Sequence, residues 1–230
     1  MPGGSHVDAV LFDAAGTLIE LREPVGQTYA RMARSHGVEL PSWRIEDAFL
    51  RILQRAPPMV FPDATREAVP GLERRWWRDV VRSTFRAADS TVRFANFDAF
   101  FDALYTAFSK PEVWRRRSGC REVLAALRQR EIATAVVSNF DRRLPEILDG
   151  LGLARLFDSV VLPSDAKAAK PDPRIFELAL ERVGARASTS IFVGDSNERD
   201  LEGARGVGMR AIDVASLATL RDLTRHLDAH

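Results

Sequence analysis

Five short apolar runs along the chain have the length and composition of buried β-strands. The first stops abruptly at Asp13 and is followed by Gly16, a pattern that indicates a strand ending in a functional loop. The second run stops at a Ser-Asn pair and the fourth at a Gly-Asp pair. The predicted strands span residues 7–12, 133–137, 159–162, 190–193 and 210–214.

Stretches with the apolar spacing of helices separate the later strands. Because strands and helices alternate from residue 119 onward, the pattern predicts parallel βαβ units. The predicted helices span residues 119–130, 142–151, 173–183 and 199–207.

About 120 residues without a convincing strand separate the first two strands. The simplest interpretation is a helical module inserted after the first strand, with edges near Leu21 and Glu112. We therefore expect a core domain formed by residues 1–20 and 113–230 and a second domain formed by residues 21–112. Helical patterns fill this insertion at residues 25–36, 42–55, 67–88 and 94–108.

Composition narrows the classes of protein that fit this pattern. Apolar residues make up 46% of the chain, enough for a sizeable core, and the formal net charge is +1. Basic residues are spread along the chain apart from Arg115–Arg117, predicted to be a solvated turn, so we expect no nucleic-acid partner. The single cysteine, Cys120, excludes an internal disulfide and favours the cytoplasm. The start MPGGSH lacks the regions of a signal peptide and no apolar run could span a bilayer, so we expect no membrane association.

Polar signatures follow four of the predicted strands. In an open parallel sheet the carboxyl ends of the strands form one edge, where ligands bind. Any one signature is weak, since an isolated aspartate at a strand end is more often a helix cap or a turn residue. All four in this order predict one active site. They are Asp13 in DAAGTL, the pair Ser138 and Asn139, Lys170 in KPDP, and Asp195 and Asp200 in GDSNERD.

These residues resemble the four motifs of the haloacid dehalogenase superfamily: a nucleophilic aspartate, a serine or threonine, a lysine and an acidic pair. The resemblance covers the whole chain. The runs GQTYARMARSHGVEL, RRWWRDVV and SNFDRRL look closest to the type-three subgroup of haloacid dehalogenase-like hydrolase domain-containing proteins. The expected fold is α/β, a doubly wound parallel sheet with strand order 5-4-1-2-3, and the insertion resembles the superfamily's helical cap.

The residue types fit this chemistry independently. Asp13 can attack an electrophilic centre and form a covalent intermediate, and Lys170 supplies a positive charge beside it. Ser138 and nearby backbone amides can donate hydrogen bonds to a phosphoryl or carboxylate oxygen. Asp195 and Asp200 are hard oxygen ligands suited to Mg²⁺, which would bridge Asp13 and a phosphate.

The resemblance implies further roles in the loop after the first strand. It implies that the backbone carbonyl of Ala15 also ligates the metal. It also implies that Thr17 orients the loop. The expected contacts to a small anionic substrate come from Gly16, Thr17, Ser138 and Asn139.

Ala15 departs from the superfamily's pattern. Phosphatases of the superfamily usually have DxDxT, whose second aspartate is the general acid and base, and alanine can neither protonate a leaving group nor activate water. A 2-haloacid dehalogenase needs no such acid, but those enzymes work without metal and have serines where this chain has Gly194 and Asp195. A phosphonatase resembles DxAGT but needs a cap lysine, and the predicted cap helices contain none; Lys110 lies at the hinge.

The preferred interpretation is the type-three subgroup itself: a hydrolase with a Mg²⁺ site, acting on a small phosphorylated metabolite, whose turnover is impaired by Ala15. A 2-haloacid dehalogenase stays open as an alternative. So does a non-catalytic module that binds phosphate ligands.

Overall fold

A five-stranded parallel sheet forms the centre of the fold in the computed structural model, which describes residues 6–227. Most of the run MPGGSH lies outside the described residues. The sheet has the order β5-β4-β1-β6-β7. Read from β7, this is the predicted order 5-4-1-2-3, so the predicted fold class and topology are confirmed. The strands are β1 (Ala9–Phe12), β2 (Ile19–Leu21), β3 (Trp114–Arg116), β4 (Ala133–Val137), β5 (Ser159–Val161), β6 (Ser190–Gly194) and β7 (Arg210–Asp213).

β1 occupies the middle of the sheet because all four of its residues are apolar and fully buried. A strand covered on both faces reads as a continuous apolar run rather than an alternating one. Its first residue, Ala9, is in register with Ala133 of β4 on one side and with Ser190 of β6 on the other. Both neighbours run parallel to β1, so the three strands end at the same edge.

Helices cover the sheet, and they follow the apolar spacing closely. Phe176, on one of these helices, packs edge-on against Phe192 of β6 with ring centroids 5.2 Å apart. The predicted helix over residues 199–207 begins instead as a π-helical turn, Asn197–Glu202. The helices are α1 (Val25–Arg34), α2 (Ser42–Arg55), α3 (Val69–Ala88), α4 (Phe97–Ser109), α5 (Cys120–Gln129), α6 (Leu144–Gly150), α7 (Pro163–Ala166), α8 (Pro173–Val183), α9 (Gly203–Gly206) and α10 (Thr224–Leu227).

The chain divides into two compact units. The first contains the described residues up to Glu20, then Val60–Pro62, then those from Arg115 onward, and it includes the parallel sheet. The second contains Leu21–Met59 and Asp63–Trp114, and it includes α1 to α4.

The second unit is built on an aromatic core. Phe85 of α3 packs edge-on against Phe100 of α4 at a centroid distance of 5.3 Å and stacks on Tyr29 of α1 at 6.1 Å. Arginines on α3 reinforce the contact with α4: Arg82 lies over the ring of Phe97 at 4.7 Å. Such cation–π contacts hold an arginine against apolar surface while its charged end stays in water.

Two expectations for the segment between the first and second predicted strands are wrong. The segment does contain strands, because β2 and β3 form a separate two-stranded sheet. At three residues each they are too short to show the alternation from which strands are recognised. The run from Arg115 to Arg117 is also not a turn, since Arg115 and Arg116 belong to β3. These two are exposed, as predicted, whereas Arg117 is partly buried, and each of the three donates a hydrogen bond to a different segment.

Within the described residues, no helix combines the length and apolar character needed to cross a membrane.

Cys120 is the first residue of α5, and its side chain is 1% exposed. Burial raises the pKa of its thiol to about 12, a larger effect than the opposing charge of Arg116. Only the thiolate is an effective nucleophile, so this thiol is protected both by access and by protonation. The structure agrees with a packing role for this cysteine.

We expect native Cys120 to be unreactive toward an aromatic disulfide reagent at about pH 8. One thiol per chain should react once guanidinium chloride unfolds the protein. As a control, Ala215→Cys places a thiol at an exposed position of the same unit, and it should react at once in the native state. Rapid reaction of the native, unsubstituted protein would contradict the burial described here.

Candidate active site

The predicted site residues of the first unit converge at the carboxyl edge of the sheet. Asp13 directly follows β1, Ser138 follows β4, and Asp195 follows β6. Carboxylate oxygens of Asp13, Asp195 and Asp200 all lie within 4.8 Å of one another. The order of the strands produces this meeting, because β1 lies between β4 and β6 and all three end at one edge.

Lys170 is the cation of the cluster, and its side chain is 3% exposed. Its Nζ lies 2.6 Å from Oδ1 of Asp13 and 2.5 Å from Oδ1 of Asp200. Burial by itself would lower the pKa of Lys170, but the two carboxylates outweigh burial and the net direction is upward. The ammonium also lies 5.4 Å from the ring centroid of Phe192. The lysine is therefore held as a charged group.

The pKa values of Asp13 and Asp195 are raised as well, which for a carboxyl group favours the neutral form. Burial raises the pKa of Asp13, Lys170 lowers it, Asp200 raises it again, and the net direction is upward. The side chain of Asp195 is more exposed than the others. Even so, partial desolvation and the charges of Asp13 and Asp200 raise the pKa of Asp195 to about 6. Crowded carboxylates of this kind favour a bound cation.

Asp200 also organises the loop that carries Asp195. Its Oδ2 accepts hydrogen bonds from the backbone N–H groups of Asp195 at 3.2 Å and Ser196 at 3.1 Å. The glycine before Asp195 is required for this approach, because a Cβ at Gly194 would lie 2.5 Å from Cβ of Asp200. Asp200 thus supports its neighbours in the cluster with one oxygen and pairs with Lys170 through the other.

The loop after Asp13 places a glycine where no side chain fits. Gly16 has φ +90°, and a Cβ there would collide with the carboxylate of Asp195. Thr17 is fully buried, and its Oγ1 has no hydrogen-bond partner among the described residues. Ala15 forms an isolated β-bridge with Ile19, which closes the loop on itself.

The two residues after β4 lie in different surroundings. Ser138 is 3% exposed, and its backbone N–H donates to the carbonyl of Val161 at 3.2 Å. Asn139 instead contacts the backbone of Lys170 with both ends of its side-chain amide.

A divalent cation fits this donor set. Three ionised carboxylates and one ammonium leave an excess of two negative charges, which the two positive charges of Mg²⁺ would balance. Mg²⁺ prefers carboxylate oxygens, and oxygens on opposite sides of the ion lie about 4 Å apart. The spacing of Asp13, Asp195 and Asp200 therefore needs only small side-chain movements to accommodate the ion.

Arg117 supports the site but was not predicted to do so. Its Nη1 donates to the carbonyl of Gly16 at 2.8 Å, and its backbone N–H donates to the carbonyl of Leu18 at 2.9 Å. It thereby holds the loop that follows Asp13. Its place in a run of three arginines suggested a solvated surface. The pairing of β3 with β2, which brings Arg117 to this loop, is not visible in the sequence.

A second missed pair lies just beyond Asn139. Asp141 is fully buried, and its two carboxylate oxygens accept hydrogen bonds from the guanidinium of Arg143 at 2.9 and 2.6 Å. Its Oδ1 also accepts from the backbone N–H of Arg143 at 2.9 Å. A capping role for Asp141 would account only for the backbone bond. The buried ion pair with Arg143 is a contact that sequence spacing does not reveal.

Comparison with known proteins identifies one family of hydrolases. The family model for haloacid dehalogenase-like hydrolases matches residues 7–208, which include all of the site residues described above.

Individual proteins agree with this match. Haloacid dehalogenase-like hydrolase domain-containing protein 3 of Mus musculus is 42% identical over 215 residues, covering 93% of this chain and 84% of that protein. The crystal structure of a HAD phosphatase from Thermococcus onnurineus is 26% identical with a TM-score of 0.58, covering 89% of this chain and 84% of that one. The L-2-haloacid dehalogenase of Xanthobacter autotrophicus shares the fold at 21% identity and a TM-score of 0.66, covering 96% and 82%.

Replacing Gly16 by alanine should weaken Mg²⁺ binding by about tenfold or more, a typical effect of disturbing the support of a ligand. The added Cβ would displace the Asp195 carboxylate, and titration calorimetry would measure the loss. The matched control is Gly152→Ala in the same unit, which also has a positive φ, +66°, but has nothing within 4 Å of the added Cβ. Equal Mg²⁺ affinity in the two variants would exclude Asp195 as a ligand.

Proposed function

Because the chain belongs to the haloacid dehalogenase-like hydrolase family, we propose that it hydrolyses a small phosphorylated metabolite with Asp13 as the nucleophile and Mg²⁺ as the cofactor. The observation that carries the proposal is Lys170 buried between Asp13 and Asp200, with Asp195 beside them. A nucleophilic aspartate alone would not require two further carboxylates beside it. A site that binds a cation together with a phosphate requires both the carboxylates and the ammonium.

Asp13, Asp195 and the backbone carbonyl of Ala15 are the proposed direct metal ligands, and Asp200 is the fourth proposed member of the metal site. Bound Mg²⁺ would neutralise charge on the phosphate and orient it toward Asp13. Of the two acidic residues after β6, Asp195 is the proposed direct ligand. Both oxygens of Asp200 already have partners, so its replacement should reduce metal affinity less.

The chain's own residues account for the first chemical step. An oxygen of Asp13 attacks phosphorus, the bond from phosphorus to the ester oxygen breaks, and an aspartyl phosphate forms. The leaving oxygen takes a proton from solvent water and departs as the alcohol, because the site offers no general acid at Ala15. Lys170 keeps Asp13 oriented and places a positive charge where the phosphoryl oxygens gather charge. The hydroxyl of Ser138 is the proposed donor to those oxygens. The backbone N–H groups of Gly16 and Thr17 already donate to the carbonyls of Ile19 and Ala14, which leaves Gly16 and Thr17 the role of shaping the loop.

The second unit is the proposed cap, corresponding to residues 21–112 of the predicted domain division. In this family a cap excludes water and selects the substrate. Helices α1 to α4 contain no lysine, which argues against the Schiff-base chemistry of a phosphonatase. The net charge of +1 supports a small molecule rather than a nucleic acid as the partner. A cytoplasmic location, favoured by the single cysteine, stays a prediction.

Ala15 sets the proposed limit on turnover. The position offers no carboxyl group to protonate the leaving oxygen or to activate the water that releases phosphate from Asp13. We infer slow hydrolysis of alkyl phosphates. The same observation favours a second candidate function, a module that binds phosphate ligands without hydrolysing them.

A substrate panel with and without Mg²⁺ tests the proposal directly. It should contain phosphomonoesters and 2-haloacids, and we expect Mg²⁺-dependent release of phosphate only. Asp13→Asn is nearly isosteric and should abolish this release while the fold is retained. Beryllofluoride should form a phosphate mimic on the Asp13 carboxylate.

Three other results would replace the proposal. Halide release without metal would identify a dehalogenase. A thermal shift with Mg²⁺ and phosphate but no hydrolysis would favour the binding module. Full activity of Asp13→Asn would place the nucleophile elsewhere.

Restoring the missing acid should raise activity. General acid–base catalysis contributes about 10²–10⁴-fold, so Ala15→Asp should increase turnover of an alkyl phosphate toward that range. The activated ester p-nitrophenyl phosphate should gain less at the first step, because its leaving group needs little protonation. Steady-state kinetics of both esters would measure the difference.

The matched control is Ala15→Asn, which has nearly the same size as aspartate but cannot exchange a proton. If both variants behave alike, the gain comes from shape and not from acid–base chemistry. A crystal structure of Ala15→Asp with Mg²⁺ would show whether the carboxylate reaches Asp13. A correctly placed carboxylate without any gain in turnover would mean that the missing acid is not the limit.

A further inference from the structure

We propose that Asn139 is a positioning residue for Lys170, acting on the backbone of the lysine and not on the substrate. This inference rests on the proposed function, in which Lys170 orients Asp13. It gives Asn139 a different role from the substrate contact expected from the sequence.

The observation is a two-point contact between one side chain and one residue's backbone. Nδ2 of Asn139 donates to the carbonyl of Lys170 at 3.0 Å, and Oδ1 accepts from the N–H of Lys170 at 2.7 Å. The two residues are 31 positions apart in the chain. The amide thus pairs with Lys170 as a neighbouring strand would, with one donor and one acceptor.

Lys170 needs such a partner because no regular element holds it. It lies between α7, which ends at Ala166, and α8, which begins at Pro173. A buried backbone N–H and C=O must find hydrogen-bond partners outside a helix or sheet ladder. Asn139 supplies both partners from the end of β4, a central strand of the sheet.

The contact fixes the position from which the lysine side chain starts. The ammonium donates a hydrogen bond to Asp13 at 2.6 Å and forms an ion pair with Asp200 at 2.5 Å, and a backbone shift of about 1 Å would disrupt both contacts. The orientation of the Asn139 amide is determined as well, since the reverse orientation would set donor against donor and acceptor against acceptor. Turning this amide toward a substrate would sacrifice both bonds.

Kinetics separates positioning from substrate binding. For Asn139→Ala and Asn139→Asp with p-nitrophenyl phosphate, we expect kcat to fall about tenfold or more while KM stays within about twofold. Aspartate keeps the acceptor for the Lys170 N–H but places an oxygen against the Lys170 carbonyl, so it should not restore the activity. A raised KM with unchanged kcat would assign Asn139 to the substrate and overturn the proposal.

Asn96→Ala is the control of matched residue type. Asn96 caps α4 in the second unit by accepting from the N–H of Ala99 at 3.0 Å, so its loss also costs stability. We expect its kcat to equal that of the unsubstituted protein. A kcat lowered equally by Asn96→Ala and Asn139→Ala would mean that general destabilisation explains the effect, which would also overturn the proposal.

A second measurement needs no turnover. The chain has only three lysines, and Lys110 and Lys167 are exposed, so the ammonium signals of ¹⁵N-lysine-labelled protein are few and assignable by Lys→Arg variants. Buried, paired Lys170 should give a signal protected from exchange with water. We expect Asn139→Ala to broaden or remove this signal and Asn96→Ala to retain it.

The two measurements fail independently. If the unsubstituted protein hydrolyses nothing, the proposed function fails, but loss of the Lys170 signal in Asn139→Ala still supports the positioning role. An unchanged Lys170 signal in Asn139→Ala, or no protected signal in the unsubstituted protein, would overturn the positioning role whatever the activity. Should Asn139→Ala lose its near-ultraviolet circular dichroism, the nearly isosteric Asn139→Asp carries the same test.

Discussion

The rest of the site depends on one interaction, the pairing of the buried Lys170 ammonium with the carboxylates of Asp13 and Asp200. Removing a charge from water costs several kcal/mol, and only close partners of opposite sign offset that cost. The partners must come from separate parts of the chain, and the parallel sheet brings them to one edge. Hydrogen bonds to the backbone hold two of these residues in place. The carboxylate of Asp200 accepts from the backbone N–H groups of Asp195 and Ser196. The side-chain amide of Asn139 contacts the backbone of Lys170. Loss of Lys170 would leave Asp13 and Asp200 buried without a positive charge beside them, whereas loss of one aspartate leaves the lysine paired with the other.

Most of the fold follows from local signals in the sequence. The strand β4 was predicted with the bounds that it has, and so was helix α2, because apolar runs and helical spacing determine both. The strand order was implied by the resemblance to the haloacid dehalogenase superfamily, and it is the order that brings Asp13 beside the acidic pair after β6. The strands β2 and β3 were missed because three residues stabilised only by pairing with each other carry no periodic signal. The π-helical turn after Ser196 was missed because its sequence has ordinary helical spacing.

The sequence predicted which residues belong to the candidate site, but not which of them contact one another. Strand ends pointed to Asp13 and Lys170, and the structure brings them into contact. Sequence could not show that Asn139 contacts the lysine backbone or that Arg117 holds the loop after Asp13, because those contacts join residues 31 and 101 positions apart. Ala15 is the reverse case: the alanine is visible in the sequence alone, and the structure adds only that it bridges to Ile19 in the loop that follows Asp13.

The first unit is formed by separate stretches of the chain, which has a consequence during protein synthesis. The strand β1 is made first but pairs only with β4 and β6, and roughly 180 residues separate Ala9 from its partner Ser190. At typical synthesis rates that interval lasts on the order of 10–40 s, and β4, the first partner to be made, follows β1 by roughly 120 residues, or about 6–25 s. Until β4 is made, the apolar strand β1 has no neighbour in the sheet. The second unit is complete well before then. All residues of the second unit are therefore synthesised before either partner of β1, and over that time the four apolar residues of β1 are open to binding by chaperones.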